Sequence, residues 1–148
     1  MEAYSDFLQD LIAVNNDRID GYSQAIALLN ENEDEDLRQV LVQYRSQTQR
    51  FVAQLNTFLT TDESEELEPA LNGPLFKLWQ AHIAPISGTD RKAILVSCEQ
   101  REDIYKTVYE KAINELDSVP LSLANTIRQQ AELHYMAHNH IKTLRDTI

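Results

Sequence analysis

Apolar residues recur along this chain at alternating strides of three and four. That is the period of one helix face, not of a strand. The pattern predicts four long helices. The first covers residues 5–30, with the stripe Leu8, Ile12, Asn15, Ile19, Tyr22, Ile26, Leu29. The second covers 36–59, with Leu37, Leu41, Tyr44, Thr48, Phe51, Leu55, Phe58. The third covers 89–116, with Leu95, Cys98, Glu102, Tyr105, Tyr109, Ala112, Leu116. The fourth covers 119–147, with Leu123, Ile127, Gln130, His134, Ala137, Ile141, Leu144, Ile148. Asn72-Gly73-Pro74 reads as the start of a further short helix over 74–84, because proline suits the first helical position. Ser5, Thr89 and Ser118 stand where helix caps are wanted. Gly21 lies inside the first helix, where a missing side chain marks a close approach by a neighbour.

The connections predict the topology. Acidic residues 30–36 and the break at 117–120 are short and suit antiparallel hairpins. Residues 60–88 are far longer. They open with a polar, acidic run to Pro69, expected as a solvated loop. Such a connection can travel the length of a helix of about 24 residues, roughly 36 Å. The second and third long helices can therefore lie parallel, with the short helix as a cover carrying Leu75, Leu78 and Trp79. The expected fold is all-α: two antiparallel hairpins joined by one long crossover, the ferritin-like arrangement of a four-helix bundle. One domain over residues 1–148 is expected. A simple up-down-up-down bundle with an insertion is the alternative.

The formal net charge of -11 repels nucleic acid and anionic membrane surfaces. There is one cysteine, Cys98, so no disulfide closes within the chain. No run of about 18 apolar residues exists, so no membrane span is expected. The acidic start, MEAYSDFLQDLIAV, lacks the basic flank of a signal peptide. A cytoplasmic protein is the expectation.

The chain resembles a family of small bacterial ferritin-like four-helix-bundle proteins of unassigned function. The residues carrying the likeness are Leu11-Ile-Ala-Val-Asn-Asn-Asp-Arg-Ile-Asp-Gly-Tyr22, Trp79, Asp90-Arg-Lys-Ala-Ile-Leu95, Cys98-Glu99 and Glu102-Asp103. Gln130 and His138-Asn-His-Ile-Lys-Thr-Leu-Arg-Asp146 add to it. Arg101 stands where that family tends to have glycine, and His134 where it tends to have an apolar residue. The resemblance implies the fold and brings no established chemistry.

Asn15, Thr48, Glu102 and His134 are each the mid-stripe polar member of their helix. A carboxylate on such a stripe must be paired, because burying it alone is costly. Ferritin-like enzymes place a metal pair at that level, with a Glu from each of two helices and Glu-x-x-His from the others. Here the second helix has no Asp, Glu or His from Leu37 to Leu59, and Ala131 and Tyr135 stand three residues before His134 and His138. The expected reading is a self-satisfied polar layer, with Glu102 bonded to His134 or Arg18 and no cofactor. The sharper alternative is a mononuclear transition-metal site. Glu102 and His134 would form its centre, with Glu99 and His138 adding ligands, since His134 and His138 share a helix face. Catalysis of the di-iron kind is not expected. A structural or interaction role is, with fold analogy pointing to stress. The weakly acidic face of the second helix, with Arg38, Arg45 and Arg50 among glutamines, suits a second copy or a protein partner. Space near Trp79 and His82 suits a small molecule.

Overall fold

The computed structural model describes residues 4–59 and 73–147. The expected solvated loop at 60–69, Asn72 and Ile148 lie outside the described residues. Five α-helices and no strands are found among those described. They are α1 (Ser5–Leu28), α2 (Glu35–Asn56), α3 (Pro74–His82), α4 (Arg91–Ile113) and α5 (Leu121–Asp146), with a single 3-10 turn at Leu116–Ser118. None of these helices is long and apolar enough to cross a membrane.

The caps differ from expectation at three starts. Tyr4, not Ser5, precedes the first helical residue of α1 and offers no side-chain bond. Asp90, not Thr89, caps α4, its carboxylate accepting the Ala93 N–H at 2.8 Å. One residue further along, Asp90 lies within reach of an orphan backbone donor, and its charge favours the positive helix end. Pro120, not Ser118, precedes α5. The 3-10 turn engages Ser118 instead, whose hydroxyl lies 3.4 Å from the Glu115 carbonyl.

Bonds between helices fix their directions. Asn15 meets Tyr109 while Arg18 meets Glu102, so α1 and α4 run antiparallel. Tyr44 meets His140 while Gln54 meets Gln130, so α2 and α5 do too. The short connections make α1–α2 and α4–α5 antiparallel pairs. Around the ring α1, α2, α5, α4, the diagonal partners α2 and α4 therefore point the same way. The chain must return from one end of the helices to the other between them. Helix α3 and the segment 83–90 make that climb along α1 and α4. Its steps are Phe76 at Asp10, Trp79 at Asp17, Ser87 at Ser97, and Arg91 at Asp34 and Asp36.

The apolar interior is divided in two. One cluster includes Leu8, Leu11, Leu55, Val108, Leu123 and Ile127. The other includes Ala25, Leu29, Leu37, Leu41, Leu95 and Ile141. Each fully buried aliphatic side chain contributes about 1.5–3 kcal/mol. Between the clusters sit buried Asn15, Arg18, Thr48, Glu102, Gln130 and His134.

Two glycines admit side chains from elsewhere. A Cβ on Gly21 would stand 2.8 Å from Arg101 Nε, so the guanidinium of Arg101 lies across α1 at that point. A Cβ on Gly73 would stand 2.0 Å from Asp10 Oδ2, the carboxylate at the start of α3. Gly73→Ala should therefore cost about 1–3 kcal/mol in urea denaturation, by prising α3 from α1. In the Asp10→Ala background the same change should cost less, since the atom it strikes is gone.

Candidate functional site

The polar layer is built from the mid-points of all four long helices. Its centre is an ion pair. Arg18 from α1 donates through Nε to Glu102 Oε1 at 2.9 Å and through Nη2 to Oε2 at 3.2 Å. Its Nη1 donates to Thr48 Oγ1 at 3.0 Å and Gln47 Oε1 at 3.3 Å on α2. The Tyr22 hydroxyl donates a short bond to Glu102 Oε1. Arg18 is wholly buried and Glu102 is 1% exposed. Burial works against the Arg18 charge, but the adjacent Glu102 carboxylate raises its hold on the proton. Burial, then Glu102, pushes the Tyr22 hydroxyl well above its ordinary range, so it stays a donor. The Arg18 guanidinium also lies over the rings of Tyr22 and Tyr44, 5.3 and 5.9 Å from their centres.

His134 belongs to a second group. Its Nε2 lies 3.2 Å from Asn15 Oδ1, and the Asn15 amide donates to Tyr109 and to the Leu11 carbonyl, both at 2.8 Å. Tyr109 in turn donates to Gln130 at 2.6 Å. With the Asn15 amide used as donor, its oxygen can only accept, so His134 carries its proton on Nε2. Burial, then the charge of Arg18, pushes the ring's pKa well below the ordinary histidine value. The imidazole is therefore neutral, packed 4.2 Å from the Tyr109 ring and 5.2 Å from that of Phe51.

The four residues expected to share a metal are thus divided. Glu102 is bonded to Arg18 and Tyr22, not to His134. Glu99 and His138 form a separate group at the α4–α5 edge: His138 Nε2 lies 3.2 Å from Glu99 and 3.4 Å from Asp103, and Arg145 reaches Glu99 at 3.1 Å. Asp103, itself exposed, also lies against this histidine. Among the described residues no group of three or more His, Cys, Asp or Glu is arranged to hold a metal ion. Burial raises the pKa of the Cys98 thiol to about 12, which leaves it inert.

A third group fastens α3, and the sequence pattern did not point to it. Asp17 Oδ2 accepts from Trp79 Nε1 at 2.9 Å, Arg101 Nη2 at 2.6 Å and Tyr105 at 2.7 Å. Arg101 also donates to the Ala84 carbonyl. Tyr105 is held here, not by Glu102. The unusual Arg101 opposite Gly21 was the available signal. Beside this group an open groove of about 580 Å³ runs between α3 and α4, lined by Leu78, His82, Glu99, Arg101 and Asp103.

Fold and layer together describe an all-helical protein whose buried polar groups are largely paired with one another. The chain belongs to the family described as Domain of unknown function (DUF2383), whose profile matches residues 3–115. That span holds α1 to α4, with Asn15, Arg18, Thr48 and Glu102, while α5 with Gln130 and His134 follows it. No curated protein and no solved structure matches the chain.

Two buried groups pull stability in opposite directions with pH. The unfolded chain protonates His134 below about 6.5, while the folded ring stays neutral, so stability falls as pH drops through that value. Burial raises the Asp10 pKa from 3.8 to about 6, so the folded state binds this proton first and stability rises from about pH 6 down to 3.8. Denaturation midpoints from pH 7.5 to 5 should fall less in His134→Gln than in the native protein, and more steeply in Asp10→Asn. Unchanged slopes would contradict both assignments.

Proposed function

We propose that this is a non-catalytic structural or interaction protein, a cytoplasmic, single-domain, ferritin-like four-helix bundle. The parallel course of α2 and α4, with α3 climbing between their ends, supports that arrangement. The observation that carries the functional reading is the Arg18–Glu102 pair. At the depth where ferritin-like enzymes gather carboxylates around two metal ions, the cation opposite Glu102 is a guanidinium of the chain itself. Binding a transition metal at Glu102 requires displacing Arg18 from its only ion-pair partner among the described residues. Such a layer sets the register of four similar helices, because a slip would strand the donors and acceptors that it pairs. By analogy with other bundles of this kind, the role belongs with stress responses, and a role of that sort is exercised through partners.

A structural layer predicts a specific pattern of energies. Arg18→Met or Glu102→Leu alone leaves one buried charge unpaired and should cost about 3–5 kcal/mol. The double variant should cost clearly less than the sum, as judged by urea denaturation. Protein purified without added metal should contain no stoichiometric transition metal. Bound metal lost in both Glu102→Gln and His134→Ala would overturn the reading.

A further inference from the structure

Helix α3 is held differently at its two ends. The far end is tied by paired polar groups: Trp79 to Asp17, and the Ala84 carbonyl just beyond the helix to Arg101. The first turn rests on Asp10 of α1, which is 1% exposed. Its Oδ2 accepts the Phe76 N–H at 3.3 Å. Its Oδ1 is buried and has no hydrogen-bond partner among the described residues. The charges that bear on it are two more carboxylates, Asp6 one turn earlier on α1 and Glu115 just past α4. From α3 it receives only backbone N–H groups, those of Phe76 and Gly73. Gly73 closes over it so tightly that a Cβ there would strike Oδ2. Seating the first turn therefore shuts a half-satisfied acid away from water. Such a group is far less costly to bury neutral than ionised. Burial, with Asp6 and Glu115 adding to it, raises its pKa from 3.8 to about 6.

We propose that α3 is a proton-seated cover: its first turn closes on α1 when Asp10 is neutral and lifts when Asp10 ionises. Lifting returns the carboxylate to water. It also uncovers Leu75, which is 1% exposed when seated and packs in the cluster of Leu8 and Leu11. Trp79 stays tethered to Asp17, so the motion is confined to the half of α3 nearer Pro74. The lifted form presents an apolar patch that the seated form hides. The sign follows from which form holds the proton. The seated form holds it more tightly, so its advantage is complete below about pH 3.8 and is lost as pH rises through about 6. With those two values the lifted fraction grows about tenfold from pH 5 to 7.5. His134 works in the opposite sense and on the whole bundle, because acid favours its unfolded form. The proposal does not rest on the Arg18–Glu102 layer.

The test is hydrogen exchange of the full chain, followed by mass spectrometry on residues 75–82 and corrected for intrinsic rates. Exchange through opening should rise about tenfold from pH 5 to 7.5 in the native protein. In Asp10→Asn it should stay level across that range. The amides of α4 and α5 should show no such rise. Asp6→Asn changes an exposed residue and spares the buried seat. Removing that neighbouring charge should move the midpoint to lower pH and keep the transition, which gives a second reading should Asp10→Asn not fold. Protection of residues 75–82 that ignores pH, that changes in step with α4 and α5, or that keeps its pH dependence in Asp10→Asn overturns the proposal. So does a midpoint unmoved by Asp6→Asn. None of these outcomes touches Arg18 or Glu102, so failure here leaves the core reading to its own test.

Discussion

A guanidinium and a carboxylate buried together constrain the whole structure. Taking either charge out of water alone costs several kcal/mol, so every element touching the pair must hold still enough to keep it bonded. Arg18 reaches across from α1, Glu102 receives it from α4, Thr48 and Gln47 close the far side from α2, and Tyr22 adds a hydroxyl. The fourth helix joins through a neutral chain: His134, Asn15, Tyr109 and Gln130. The two groups share no hydrogen bond, yet they meet on α1, where Asn15 and Arg18 are three residues apart and so share a face. One turn of one helix therefore aligns the other three.

That layer separates two apolar clusters, and the division has an energetic logic. Apolar packing is tolerant: volume and pattern suffice for collapse, and a shifted helix can still bury leucine on leucine. Polar groups in the middle are not tolerant. A one-residue slip strands a donor or acceptor at a cost of about 1–3 kcal/mol each. Specificity thus comes from the few polar positions, and affinity between helices from the many apolar ones.

The helical class was legible from stride alone, since each long stripe keeps its period over many turns. Connection length likewise carried information about direction, because a short link cannot span a helix. Burial at Asn15, Thr48, Glu102 and His134 was legible from the same stride. Their partners were legible only in part: Arg18 stood as one of two candidates for Glu102. Stripe position fixes depth only coarsely, so it left open whether His134 or Arg18 reaches that carboxylate. Arg18 itself falls between stripe positions; its length lets it reach inward where a shorter side chain would stay outside. Asp17, its neighbour, points the other way and was unreadable for a different reason. Its donors come from two other helices, Trp79 on α3 and Arg101 and Tyr105 on α4, so they come together only in the folded bundle.

Those three donors converge on a single oxygen. An indole from α3, and a guanidinium and a phenol from α4, share one acceptor atom on α1. Donors that share an acceptor compete for it, so loss of the indole would leave the other two free to tighten on the same carboxylate. The joint between α1 and α4 therefore does not depend on the cover, whereas the cover leans on a joint that the two long helices can keep without it.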